Sequence, residues 1–467
     1  MKPRVTSRIV CIRRVALAVT AIGAVGCVTP TPVPDAENLI AEATRSSPPI
    51  LFTPDDEPID PSPAAPATLT REEAIRRAIL GDARLQVLLA GVRVALADAE
   101  QARLLPNPIL EIAYRFPTVS GAPDEIDVGI SAELLSLLTR PGRSRAADNR
   151  LRGAVADAVE RALDVVVLVR SRYATVQAFE QLIPSLNGRK GLLARLRTVA
   201  QERLDSGEGI RLDVTSLRTQ EAELDLDLLE LARNRADARL ELAQLMGVPA
   251  EQGEWNVEPR EAPAPVPLDR ESRWIEAALS SRPDIEAIRW ELQALKEEAQ
   301  LAGLTILEGV GAGISAEKAE DWSVGPAVSI PIPLFDFGKA RRARAEASLI
   351  EARHRLLETK RTAVSEVRRA LVSYAALQTS VERLRDVVLP LLQQRREEIE
   401  AIYLGGQADI TSLIIAEQEL RLSQVKLVGM EERVAIARAA LERAVGGPAA
   451  ALPVETELVD SESGEEP

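Results

Sequence analysis

Apolar and polar positions alternate with a period of two in four short stretches, and each predicts a strand with one apolar face. Leu110, Ile112, Tyr114 and Phe116 oppose Glu111, Ala113 and Arg115. Ile126, Val128, Ile130, Ala132 and Leu134 oppose Asp127, Gly129, Ser131 and Glu133. Later in the chain Val310, Ala312 and Ile314 oppose Gly309, Gly311, Gly313 and Ser315. Finally, Trp322, Val324, Val328, Ile330 and Ile332 oppose Ser323, Gly325, Ala327 and Ser329. The strands are expected at about 107–117, 124–134, 304–316 and 322–334, as two hairpins turning at 118–123 and 316–321. Each is about 10 residues long, the length a tilted strand needs to cross an outer membrane. Polar faces built largely of Gly and Ser leave room for a lumen.

Elsewhere the apolar period changes to near-heptad spacing. The runs from Gly142 to about Asp205 and from Gly338 to about Leu404 approach 100 Å at about 1.5 Å per residue. Each turns through glycine, at Ser206-Gly207-Glu208-Gly209 and at Gly405-Gly406-Gln407-Ala408, into a partner helix of about 35 residues. Coiled-coil hairpins are the expected result, with kinks where Pro184 and Pro390 interrupt the long helices. The same order of elements occurs twice, in residues 69–248 and 268–447. Leu138 to Arg143 (LTRPGR) answers Leu334 to Lys339 (LFDFGK), and Met246-Gly247-Val248-Pro249 answers Val445-Gly446-Gly447-Pro448. Four strands cannot enclose a pore, since the smallest barrels need about eight and an open edge in lipid leaves backbone groups unpaired. Copies of the chain must supply the rest, and three would bring twelve strands.

The ends add an address. Arg4, Arg8, Arg13 and Arg14 precede an apolar run of about 12 residues, Val15 to Gly26, too short to span a bilayer and suited to a signal peptide over residues 1–26. The Ala24-Val25-Gly26-Cys27 ending resembles a bacterial lipobox, which predicts cleavage before Cys27 and its acylation. Residues 27–68 hold ten prolines between Pro30 and Pro66 and read as an extended tether. The Glu- and Ser-rich stretch 455–467 reads as a disordered acidic tail.

Composition narrows the chemistry. Cys11 falls in the leader, so the mature chain has no pair for a disulfide and no thiolate metal site. His354 is the only histidine and has no second imidazole with which to share a metal or a proton. The chain is expected not to be an enzyme and to carry no cofactor or resident metal. A net charge of -14, with acids and arginines interleaved along helices, argues against nucleic acid as a partner.

Gln101 to Leu110 (QARLLPNPIL), Ser329 to Glu346 (SIPIPLFDFGKARRARAE), the glycine-rich hairpin before it and the Tyr403-Leu-Gly-Gly turn resemble the TolC family of outer membrane efflux proteins. Val388-Leu389-Pro390 with Tyr403 to Gly406 is most similar to its heavy-metal (Czc/Cus-type) branch. The resemblance implies a mainly helical fold with membrane β structure: a duplicated TolC-like unit whose hairpins form an α-barrel. Its four strands per chain would then contribute to a trimeric 12-stranded β-barrel. It implies a lipid-anchored outer membrane protein with a periplasmic helical extension, surrounded by outer membrane lipids. Its partners would be two further copies, a periplasmic adaptor (membrane fusion protein) and an inner-membrane pump, for which it is a passive conduit. A type I secretion channel, or a pore-less periplasmic coiled-coil scaffold, is the alternative. The family's gate is a tyrosine with acidic rings at the periplasmic tip, implying gate roles for Tyr403, Asp213 and Asp409. The acids usual six and nine residues past the turn glycine are Ser412 and Ile415 here, whereas Asp213 holds the six-residue position after Gly207.

Overall fold

The computed structural model describes residues 35–44, 68–116, 118, 124–247, 255–260, 266, 270–304, 308–318, 321–405, 407 and 410–448. In chain order these form α1 (Ala36–Thr44), β1 (Thr68–Leu69), α2 (Arg71–Gly81), α3 (Ala83–Arg103), β2 (Ile109–Arg115) and β3 (Glu125–Glu133). Then follow α4 (Leu135–Asp205), α5 (Arg211–Leu245), β4 (Asn256–Val257), α6 (Glu271–Ser281), α7 (Pro283–Ala302), β5 (Gly311–Lys318) and β6 (Trp322–Ser329). The chain continues through α8 (Lys339–Arg383), a π-helical segment Leu384–Val388, α9 (Leu389–Leu404) and α10 (Ile410–Ala444). Mainly helical, with two strand hairpins and the same element order in both halves, this is the fold class expected. No described helix is long and apolar enough to cross a membrane.

Two compact units can be distinguished. The first, built from 90–155 and 287–357, contains a four-stranded sheet in the order β2-β3-β5-β6, antiparallel throughout. The two hairpins join where β3 pairs with β5, from Ile126 opposite Lys318 to Glu133 opposite Gly311. Gly313 is required at that seam, because a Cβ there would lie 2.1 Å from the Ile130 carbonyl oxygen. In the same unit, Arg145 binds Glu297 at 2.8 Å and Arg103 binds Asp148 at 2.6 Å, while Arg152 stacks 4.6 Å from the Trp290 ring centre.

The second unit, 36–89, 156–286 and 358 onward, is held by buried aromatics and ion pairs. The short parallel pair β1 with β4 is locked by Tyr173, whose hydroxyl donates to the Leu69 carbonyl (2.8 Å) and accepts from the Glu258 amide (3.1 Å). Trp274 packs with Val367, Leu371, Leu441 and Val445, tying the start of the second repeat to its end. Arg282, almost fully buried, binds Asp284 (2.7 Å), Glu366 (2.5 Å) and the Ala444 carbonyl (3.2 Å). Burial opposes its charge, but the two carboxylates outweigh burial and hold it well above the ordinary arginine value.

Four expectations change. Residues 36–44 of the predicted tether are helical and pack through a fully buried Ile40, because the prolines stop at Pro34 and resume at Pro48. The third strand begins at Gly311, not near 304, and runs to Lys318, since Glu308 and Gly309 form a turn with Gly309 at φ 89°, a conformation glycine tolerates. The landmark pair folds asymmetrically: LTRPGR is already inside α4, which starts at Leu135, whereas LFDFGK precedes α8 as a turn closed by Gly338 N–H donating to Asp336 Oδ1 (2.8 Å). Lastly, α4 passes Pro184 without a break, and a π turn comes just before Pro390.

Candidate functional site

The sheet's two faces are set by its cross-strand register. Directly opposed residues share a face, so Leu110, Ile130, Ile314 and Pro326 form one row; Ile112, Val128, Ala316 and Val324 form a second; Tyr114, Ile126, Lys318 and Trp322 form a third. This apolar face is largely exposed, with Ile112 at 68% and Val324 at 70% of full accessibility. An exposed apolar patch of this size marks a surface that meets lipid or protein. Aromatic side chains border it at both ends: Tyr114, Phe116 and Trp322 near the hairpin turns, Phe335 and Phe337 beyond the end of β6, all exposed. Outer-membrane barrels carry aromatic girdles of this kind at both interfaces.

The opposite face is polar and acidic. Its rows are Glu111, Gly129, Ser315 and Gly325; Ala113, Asp127, Glu317 and Ser323; Ile109, Ser131, Gly313 and Ala327; Glu133, Gly311 and Ser329; and the pair Arg115 with Glu125. Arg115 answers Asp127 at 2.7 Å and Glu125 at 3.7 Å. No ion pair among the described residues answers Glu111, Glu133 or Glu317, so the face is net negative. The outer edges of β2 and β6 have no partner strand within the described chain. Alternating strand directions leave them antiparallel, so β6 of one copy can pair with β2 of the next.

Within the second unit, the two helix-hairpin turns meet in one apolar cluster of Leu196, Ala200, Val214, Leu217, Tyr403, Ile410 and Leu413. Tyr403 is 1% exposed and its hydroxyl has no hydrogen-bond partner among the described residues. The Arg203 guanidinium stacks 5.5 Å from the Tyr403 ring centre and donates to the Tyr403 carbonyl at 3.2 Å. Burial pushes the phenol above its usual range; the Asp213 carboxylate adds to the rise and Arg203 opposes it. Asp213 lies in the first turn of α5, its amide donating to the Ile210 carbonyl at 3.2 Å. Thus Tyr403 and Asp213 are brought together electrostatically, with the tyrosine facing the protomer's own core. Asp409 and Cys27 lie outside the described residues.

Sequence reading missed what braces this cluster. Glu417, buried on α10, accepts from Arg189 of α4 (2.7 Å) and from Arg396 of α9 (2.5 Å), so one carboxylate joins three helices. Gln220 with Gln418 (3.0 Å) and Arg421 with Asp227 (2.9 Å) add further links between α5 and α10. The signal was faint: Glu417 sits among apolar positions of α10, but its partners lie as far as 228 residues away. In the same unit a cleft of about 840 Å³ is lined by Glu160, Asp164, Arg282, Glu366 and Arg443. Those charges largely answer one another, Arg443 binding Glu160 at 2.9 Å and Asp164 at 2.7 Å.

Residues 274–447, the second repeat, match the family described as outer membrane efflux protein. The cobalt-zinc-cadmium resistance protein CzcC of Cupriavidus metallidurans is 23% identical over 394 residues, covering 83% of this chain and 92% of that protein. The outer membrane protein VceC of Vibrio cholerae has a similar fold, with a TM-score of 0.66 at 19% identity over 81% of this chain and 96% of VceC. The outer-membrane channel OprN superposes with a TM-score of 0.66 at 19% identity, over 91% of this chain and 99% of OprN. Residues 274–447 thus match the outer membrane efflux protein family, whose TolC-type members the chain's motifs resemble, and the chain shares its fold with VceC and OprN.

Proposed function

We propose that this chain is the outer membrane subunit of a tripartite efflux system, assembling as a homotrimer that gives cations a passive route out of the periplasm. The carrying observation is the registered sheet, apolar and aromatic on one face and acidic with Gly and Ser on the other. In lipid the two free edges must be satisfied, and closure with further copies does this while placing the acidic face inside. Three copies repeat Glu111, Glu317 and Glu133 as rings, and carboxylate rings in a narrow lumen favour cations over anions. CzcC is named for cobalt, zinc and cadmium resistance, which supports divalent metal ions as cargo. An adaptor and an inner-membrane pump would supply cargo and energy. Acylation of Cys27 would anchor the chain, and Tyr403, Asp213 and Asp409 would belong to the periplasmic constriction.

The test is the reversal potential of the purified full-length protein in a planar bilayer under a KCl gradient. Cation selectivity is expected, reduced in a Glu111→Gln/Glu317→Gln variant. Anion selectivity in the parent would remove the acidic lumen from the account.

A further inference from the structure

The SIPIPLFDFGKARRARAE motif holds a charge pattern that neither the strands nor the hairpin turns use. Ile330, Ile332, Leu334, Phe335 and Phe337 are all more than half exposed, Phe335 at 96%. Two residues later α8 begins, and its first six residues carry Lys339, Arg341, Arg342 and Arg344, every one exposed. Arg341 is answered, by Glu308 and by Asp336, both at 2.9 Å. Lys339, Arg342 and Arg344 have no ion-pair partner among the described residues. The first turn of α8 contains no acid, so these cations crowd the positive end of a helix, where the macrodipole disfavours them. The corresponding region of the first repeat is quieter: Arg143 donates to the Ser136 carbonyl at 3.4 Å, and Arg145 binds Glu297 at 2.8 Å.

An exposed apolar and aromatic run that gives way within two residues to unanswered cations has the layering of a membrane interface. Aromatic rings sit at headgroup depth and long cationic side chains reach to phosphates beside them. Anionic headgroups would also offset the repulsion among the cations. We infer that Lys339, Arg342 and Arg344 form a collar that binds anionic phospholipid headgroups of the leaflet facing the periplasm, with Phe335 and Phe337 inserted above it.

This rests on the membrane reading of the sheet, and the experiment keeps the two separable. The full-length protein is reconstituted in nanodiscs of phosphatidylcholine alone and of phosphatidylcholine mixed with phosphatidylglycerol, and retained lipid is counted by native mass spectrometry. The parent is expected to retain phosphatidylglycerol in preference. Lys339→Gln/Arg342→Gln/Arg344→Gln should lower that preference, by about fivefold per collar cation that engages a headgroup. Arg341→Gln and the charge-keeping Lys339→Arg/Arg342→Lys/Arg344→Lys variant should retain it. A neutral triple variant with the parent's preference, a parent with none, or full competition by inorganic phosphate would each overturn the collar. Failure to enter either nanodisc would instead sink the membrane reading.

Discussion

The two repeats share an element order but differ at matching levels. With an offset of about 200 residues, Pro184 in α4 falls opposite the start of the π-helical Leu384–Val388. A proline removes one N–H from the ladder, and a π turn inserts one residue into it, so both loosen the helix at the same height of their hairpins. The turns differ as well: the second repeat contributes the buried Tyr403, and the first contributes Arg203 and Asp213, which act on it. At the other end the first repeat enters α4 directly, whereas the second inserts the exposed LFDFGK turn. Duplication thus reproduced the architecture and left each copy free to specialise where it meets the other or the surroundings.

The sharpest way to break this comparison is at the seam between the hairpins. Gly313→Ala would drive a Cβ into the Ile130 carbonyl and should cost upwards of about 4 kcal/mol, preventing stable assembly. Gly325→Ala, in the neighbouring strand with open space around it, should assemble normally. Oligomer yield after detergent extraction distinguishes them.

Next in size is the carboxylate that joins the hairpins. Glu417→Ala leaves the largely buried Arg189 without its carboxylate and Arg396 with Glu400 alone, an expected loss of about 3 kcal/mol in denaturant melts. Glu419→Ala removes only the exposed pair with Arg395 and should cost less than about 1 kcal/mol.

Alkaline pH probes the aromatic locks. Burial raises the phenols of Tyr173, Tyr374 and Tyr403 above the ordinary value of 10.0. The folded chain therefore favours the neutral form. That stabilisation is complete below about pH 10 and is lost as pH rises through the folded-state values. Helix signal followed against pH should fall later in a variant with phenylalanine at all three positions than in the parent.

The smallest effect is expected at the turn cluster. The Tyr403 hydroxyl is buried without a hydrogen-bond partner among the described residues, so Tyr403→Phe should change protomer stability by less than about 1 kcal/mol. If it raises single-channel conductance, the hydroxyl meets a neighbouring copy, as a gate role requires.

Much of this was legible in the sequence because it is local. Period-two alternation places Leu110, Ile112 and Tyr114 on one face whatever surrounds them, and near-heptad spacing with glycine turns marks the helix hairpins. What escaped depends on distant partners or on single backbone angles. Arg189 gives no sign of Glu417, the burial of Tyr403 needs Val214 and Leu217 from the other repeat, and Gly309 moved the start of β5 through one positive φ. In the tether the count of prolines hid the proline-free window that forms α1.

The central claim is that the sheet separates lipid from an aqueous lumen along its register. Single cysteines at Leu110, Glu111, Ile112, Gly129, Ala316, Glu317 and Val324, in the reconstituted full-length protein, test it through reaction with a membrane-impermeant maleimide. The account predicts strict alternation, with Glu111→Cys, Gly129→Cys and Glu317→Cys labelled well above the parent's background and the other four protected. Equal labelling on both faces, or protection of Glu111→Cys and Glu317→Cys, would contradict it.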